Sequence, residues 1–316
     1  MHPGPLTAEA ALVAALADDR PVPAHAAAAS LEWIRHHGLG ALAHTHGFPR
    51  PELRADYALS SIRAEQQRAI AGEAVALLAG AGIDAILLKG ISYAGWLYPD
   101  PAERPMSDVD LLVRPRDHDR ATTLLIGLGY RHAGPAIQRS PRHHAITLKR
   151  PHAAVDLHRS PVQRGRIAIP LDDVWARATP AAWIPGAYRL APEDELLFHA
   201  ANLARHDLIV PASSFVDAGR MLGRLDAGAR AHLARTAARW RFGRVLDAVI
   251  EAVELACSRR RERGRPWLPD RDELLAGAVP RRAVQLRRKL FLIEGPRELI
   301  GYGRSVISGW WETFRA

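Results

Sequence analysis

The chain has 316 residues, 48% of them apolar, and a formal charge of +9. Its length suits one large domain or two to three small ones with a substantial core. The single cysteine, Cys257, excludes an intramolecular disulfide and a cysteine-based zinc site, and no apolar run reaches the roughly 18 residues of a spanning helix.

The first residues, Met1-His2-Pro3-Gly4, lack the basic start and apolar stretch of a secretory signal. The expectation is a soluble, cytoplasmic protein. Helical periodicity runs over residues 7–19, with Thr7 as N-cap before Glu9, and again over 26–37. Pro21 and Pro23 separate these two stretches, and Pro49 and Pro51 break the chain once more. A long Ala-rich helix follows over 52–80 and stops at Gly80 and Gly82. Residues 1–80 therefore read as an N-terminal helical cap.

Residues 81–190 read differently. Ala85–Leu88 is a short, wholly apolar run, the pattern of a buried central strand. Lys89-Gly90 ends it. Glycine lets the backbone turn sharply or approach a ligand closely, and Ser92 at the next helix start is placed to receive a phosphate. An ordinary strand-to-helix turn has the same sequence. The loop Pro99–Ser107 carries Arg104, suited to a phosphate tail or to pairing with a nearby aspartate. Ser107–Val113 reads as a second strand, with Asp108 and Asp110 two apart and so on one face.

A helix over 116–127 follows, then a short strand at Tyr130–Ala133. Residues 145–149 and 153–158 form a hairpin pattern about Arg150-Pro151-His152. Asp156 and His158 share one face of its second strand. If that strand lies beside the Asp108–Asp110 strand, three carboxylates converge. Like charges at close range repel, and a bound cation relieves them. All-oxygen ligation favours Mg²⁺ or Mn²⁺.

From Pro192 the pattern is helical: 192–205, 213–225, 229–240, 243–257, 271–278, 281–293 and an amphipathic stretch at 296–315. Arg259–Pro269 is a basic linker. Residues 191–316 read as a C-terminal helical domain with a basic tail, since 258–316 hold 14 Lys and Arg against 7 Asp and Glu. Such a tail suits a solvated helical surface or a polyanion. His199 and His206 are seven apart, near two helical turns, and Asp217 follows on the next helix.

Taken in order, these blocks resemble the nucleotidyltransferase superfamily of DNA polymerase beta. More narrowly, they look like a bacterial uncharacterised nucleotidyltransferase family. The matching residues are Leu87-Leu88-Lys89-Gly90, Tyr98, Arg104, Ser107-Asp108-Val109-Asp110-Leu111-Leu112-Val113, Gly129-Tyr130, His144 and Val155-Asp156-Leu157-His158. Ala191-Pro192-Glu193-Asp194-Glu195-Leu196-Leu197-Phe198-His199, His206 and Asp217 continue the match, which spans residues 80–220. Many superfamily members carry Gly-Gly or Gly-Ser after the first strand; this chain has Gly90-Ile91-Ser92.

The resemblance implies an α+β fold, a small mixed β-sheet core with flanking helical segments. It implies transfer of a nucleoside monophosphate, AMP foremost, from a nucleoside triphosphate to an acceptor hydroxyl on a small molecule or peptide. Asp108, Asp110 and Asp156 would hold Mg²⁺ or Mn²⁺, with Lys89, Gly90, Ser92 and Arg104 on the triphosphate. His144, His158, His199 and His206 are candidates for acceptor contact or for supporting the site; each is equally readable as a hydrogen-bonded structural histidine. Two alternatives stay open: a phosphotransferase acting on a modified peptide, and a non-catalytic nucleic-acid or partner-binding module using the basic tail.

Overall fold

A computed structural model describes residues 7–140, 143–162, 169–257 and 268–276. The expected helices at 281–293 and 296–315, and most of the basic C-terminal stretch, lie outside the described residues. In chain order the helices are α1 (Ala8–Ala17), α2 (Leu31–His36), α3 (Gly40–Thr45), α4 (Leu53–Gly80), α5 (Lys89–Tyr93), α6 (His118–Gly127), α7 (Leu171–Arg177), α8 (Pro192–Arg205), α9 (Ala212–Arg224), α10 (Ala227–Arg239), α11 (Gly243–Ala256) and α12 (Arg271–Ala276). The strands are β1 (Ile86–Leu88), β2 (Val109–Leu112), β3 (Arg131–His132), β4 (Ala145–Arg150), β5 (Ala153–His158), β6 (Thr179–Pro180) and β7 (Tyr188–Arg189). No helix among the described residues is long and apolar enough to cross a membrane.

The chain divides into two compact units. One takes the chain up to Ser61, the short segment Ala102–Arg104 and the stretch from Leu196 through α12. The other takes Ile62–Pro101 and Pro105–Glu195. Both α4 and α8 run across the division.

The first unit is helical. Thr7 caps α1 as the sequence predicts, accepting from the Ala10 N–H at 3.2 Å. Ser30 caps α2 through Trp33 N–H at 3.1 Å, so the helix expected over 26–37 is divided, with a 3-10 turn at Ala24–Ala28 ahead of it. From Ala10 onward helix α1 is apolar on every side and buried, as a helix enclosed by others must be. Gly219 brings α9 close to it: a Cβ there would stand 2.9 Å from the Ala17 Cβ. The adjacent Arg220 is buried too, and it is satisfied locally by the Leu16 carbonyl at 2.9 Å and by Asp19 at 2.6 Å.

The second unit is built on a mixed sheet in the order β3-β4-β5-β2-β1-β7-β6. Strands β1 and β2 are antiparallel, β2 and β5 parallel, and β4 and β5 form the predicted hairpin. His152, at φ 61°, completes its turn. Strands β1 and β2 are buried at every position, which is why their sequence is an unbroken apolar run apart from one aspartate. Pleat alternation sorts the rest. Leu87, Val109, Leu111, Val155 and Leu157 join Ile70, Val75 and Leu78 of α4 and Leu125 of α6 in one core. The intervening positions, Asp110, Asp156 and His158 among them, belong to the opposite face.

Candidate functional site

The site begins with register. In the parallel pair of β2 and β5, Asp110 lies directly opposite Asp156, and Leu112 opposite His158. Two carboxylates are thereby held side by side on one face of the sheet. On the other flank β1 sets Leu88 opposite Asp110, so the next residue, Lys89, arrives at the same place.

Lys89 adopts φ 54°, the left-handed region that costs a side-chain-bearing residue roughly 1–2 kcal/mol. The sequence assigns the sharp turn to Gly90. The structure gives it to Lys89, and α5 starts there without a loop. Gly90 serves a different purpose: a Cβ there would stand 3.0 Å from Met106 Cγ, so its bare backbone makes room for that side chain.

From this position Lys89 Nζ donates to Asp110 Oδ1 at 2.6 Å. His158 Nε2 stands 2.8 Å from the same oxygen. His158 Nδ1 is buried with no hydrogen-bond partner, so the proton belongs on Nε2, which donates to Asp110. Asp110 is almost wholly buried, and burial alone pushes a carboxyl up. The His158 hydrogen bond and the Lys89 charge outweigh it and hold Asp110 below the usual range. Lys89 shows the reciprocal effect: burial works against its charge, yet Asp110, then Asp108 and Asp156, hold its proton more tightly than usual.

One ligand atom from each of Asp110, Asp156 and His158 lies within 4.8 Å of the others. That compact group differs from the three aspartates expected from sequence: Asp108, one residue ahead of β2, is not among its members. Its carboxylate accepts from Ser107 Oγ at 3.0 Å. It still feels the cluster: burial first, then the charge of Asp110, with a smaller contribution from Asp156, raises its proton affinity. Three carboxylates against one ammonium leave negative charge in excess, and their oxygens suit a divalent cation. The residues fit a metal.

Ser92, expected to face phosphate, is elsewhere. It is buried, and its hydroxyl donates to Glu195 Oε2 at 2.6 Å. Glu195 is enclosed on all sides, and burial pushes its carboxyl from the ordinary 4.5 up to about 8 against the opposing effects of Ser92 and Arg189. The unfolded chain releases this proton near pH 4.5, whereas the folded protein retains it to about 8. The stabilisation from Glu195 is therefore full below pH 4.5 and is lost as pH rises toward 8. Glu195→Gln should raise the stability clearly at pH 8, where the wild-type carboxyl is being forced to ionise in a buried place, and change it little at pH 4.5. Urea unfolding at the two pH values checks this, and an equal effect at both would contradict it.

Arg104 is engaged by another aspartate. It belongs with the helical unit, where its guanidinium pairs with Asp217 through Nε at 2.9 Å and Nη2 at 2.8 Å. This places it with neither Asp108 nor Asp110, the aspartates weighed from sequence. In the same unit His199 is buried with Nε2 2.8 Å from the Ser214 carbonyl, and burial holds its proton affinity down. His206 is the exposed residue just after α8, its N–H still donating to the Asn202 carbonyl at 3.3 Å. His144 is buried in the sheet unit, its ring 5.7 Å from that of His158.

A family model described as an uncharacterised nucleotidyltransferase matches residues 22–256, more than half of the chain. No curated protein matches it.

Proposed function

The chain belongs to the uncharacterised nucleotidyltransferase family, and we propose from that premise that it moves a nucleoside monophosphate from a nucleoside triphosphate, ATP foremost, to a hydroxyl on a small molecule or peptide. In this reading Asp108, Asp110 and Asp156 hold the divalent metal, Mg²⁺ or Mn²⁺. The observation that carries it is the register of β2 and β5, which sets Asp110 against Asp156 with His158 close by.

A divalent ion there, when bound, neutralises triphosphate charge and makes an acceptor hydroxyl easier to deprotonate. The protein's own groups do the rest. His158 fixes the orientation of Asp110 through its Nε2–H, as supporting residues commonly do for a ligating carboxylate. Lys89 supplies a positive charge where the phosphates of a nucleotide would lie. Asp108 is partly exposed and has a raised proton affinity, so an incoming cation would favour its charged form. Phosphoryl chemistry asks mainly for positioning and preorganised charge rather than a protein nucleophile, and this cluster supplies both.

The test is incubation with each labelled nucleoside triphosphate, Mg²⁺ or Mn²⁺, and a panel of hydroxyl-bearing small molecules and peptides, followed by mass spectrometry. The expected products are a nucleotidylated acceptor and pyrophosphate. Release of nucleoside diphosphate with a phosphorylated acceptor would replace this reading with phosphotransfer. Failure to bind any triphosphate in the presence of metal would remove the reading altogether.

A further inference from the structure

Lys89 occupies the position of a cation among the carboxylates. Its Nζ rests on Asp110 Oδ1 at 2.6 Å and is held by the charges of Asp108 and Asp156 as well. The two ends of this pair differ in their access to water: the Lys89 side chain is 43% exposed, the Asp110 side chain 4%. The carboxylate is fixed, and the ammonium is on a stem that reaches solvent. Lys89 carries this contact from a left-handed backbone, although Gly90 next to it would take such a conformation at no steric cost.

We propose that Lys89 is a tethered, exchangeable counter-ion. A divalent cation entering at Asp108, Asp110 and Asp156 displaces the Lys89 ammonium from Asp110, and the released ammonium then receives the polyphosphate of the incoming nucleotide. No covalent bond changes; one ion pair is exchanged for another. The inference rests on the metal and triphosphate reading above. Metal alone binds against the competition of Lys89. Nucleotide offers the displaced ammonium a new anionic partner, so the two ligands bind with positive coupling, reciprocal by linkage.

Two measurements on the full-length protein test it. First, Mn²⁺ binding is followed by the electron paramagnetic resonance of free Mn²⁺, without nucleotide. Lys89→Met, which keeps the length of the side chain and removes its charge, should bind Mn²⁺ roughly tenfold more tightly than wild type, within the usual range of coupling between sites. Lys89→Arg, which retains a cation, should stay near wild type. In the presence of a non-hydrolysable triphosphate analogue, Lys89→Met should lose most of the coupling between metal and nucleotide.

Second, the chain has three lysines, Lys89, Lys149 and Lys289, so the ammonium spectrum of ¹⁵N-lysine-labelled protein is simple. Lys89→Gln assigns its signal. Saturation with diamagnetic Mg²⁺ should move that signal to the position of a solvated lysine. If Lys89→Met binds Mn²⁺ no more tightly than wild type, or the Lys89 signal stays in place at saturating Mg²⁺, the exchange is refuted while the metal site stands. If neither protein binds Mn²⁺, the exchange and the metal site fall together.

Discussion

Asp110→Asn should lower nucleotidyl transfer by about 10³-fold while leaving the fold intact. The substitution keeps the size of the side chain, and the amide oxygen can still accept from His158 Nε2 and Lys89 Nζ, the two groups that reach Oδ1. What is lost is the negative charge at the centre of the cluster, opposite Asp156. A cation attracted by three carboxylates then meets two. The expected loss in kcat/KM corresponds to about 4 kcal/mol of transition-state stabilisation. Because Lys89 is on a half-exposed stem, its ammonium can turn to water, and the stability cost should stay near 1 kcal/mol. Circular dichroism and urea unfolding establish the fold, and steady-state kinetics reads the transfer. Transfer within tenfold of wild type in a folded Asp110→Asn protein would mean that the cluster is not the reacting centre.

The largest stability effect is expected at Asp217. This carboxylate has no exposed surface, and Arg104 grips it through two nitrogens. Removing one member of a buried ion pair strands the other charge, which typically costs 3–5 kcal/mol. Asp217→Ala should therefore destabilise the helical unit by about that much, seen as a lower urea midpoint with an unchanged slope. Replacing both members by apolar residues, Arg104→Met with Asp217→Leu, removes the stranded charge and should recover much of the loss. If the single substitution costs less than about 1 kcal/mol, the pair is behaving as a surface salt bridge and its apparent role in this unit is wrong.

Two features of the sheet were legible in the sequence because they depend on short-range periodicity. A wholly apolar run over Ile86–Leu88 can be a strand buried on both faces. Alternation over Ala153–His158 puts Asp156 and His158 on one face, and the structure has them there. Asp108 precedes β2, and its tie to the cluster is through charge, felt from Asp110 and Asp156. Strands of two residues such as β6 and β7 carry no period to read, so the far edge of the sheet left no trace. Contacts between distant residues were the other blind spot. Ser92 with Glu195 and Arg104 with Asp217 join residues that nothing local connects. An acidic residue in the first turn of a helix looks like ordinary favourable placement near the helix dipole, which hid Glu195 within α8. The left-handed conformation is at Lys89 and not at its glycine neighbour, where steric preference alone would put it.

The parallel pairing of β2 with β5 also governs when Asp110 and Asp156 can first meet. Neighbouring antiparallel strands such as β1 and β2 can close as soon as both exist, but a parallel partner requires the chain to travel away and return. During synthesis, a chain that has emerged only through β4 has Asp110 without Asp156. The two carboxylates come side by side only when β5 is laid down next to β2, so the cluster is one of the later features of the sheet to assemble.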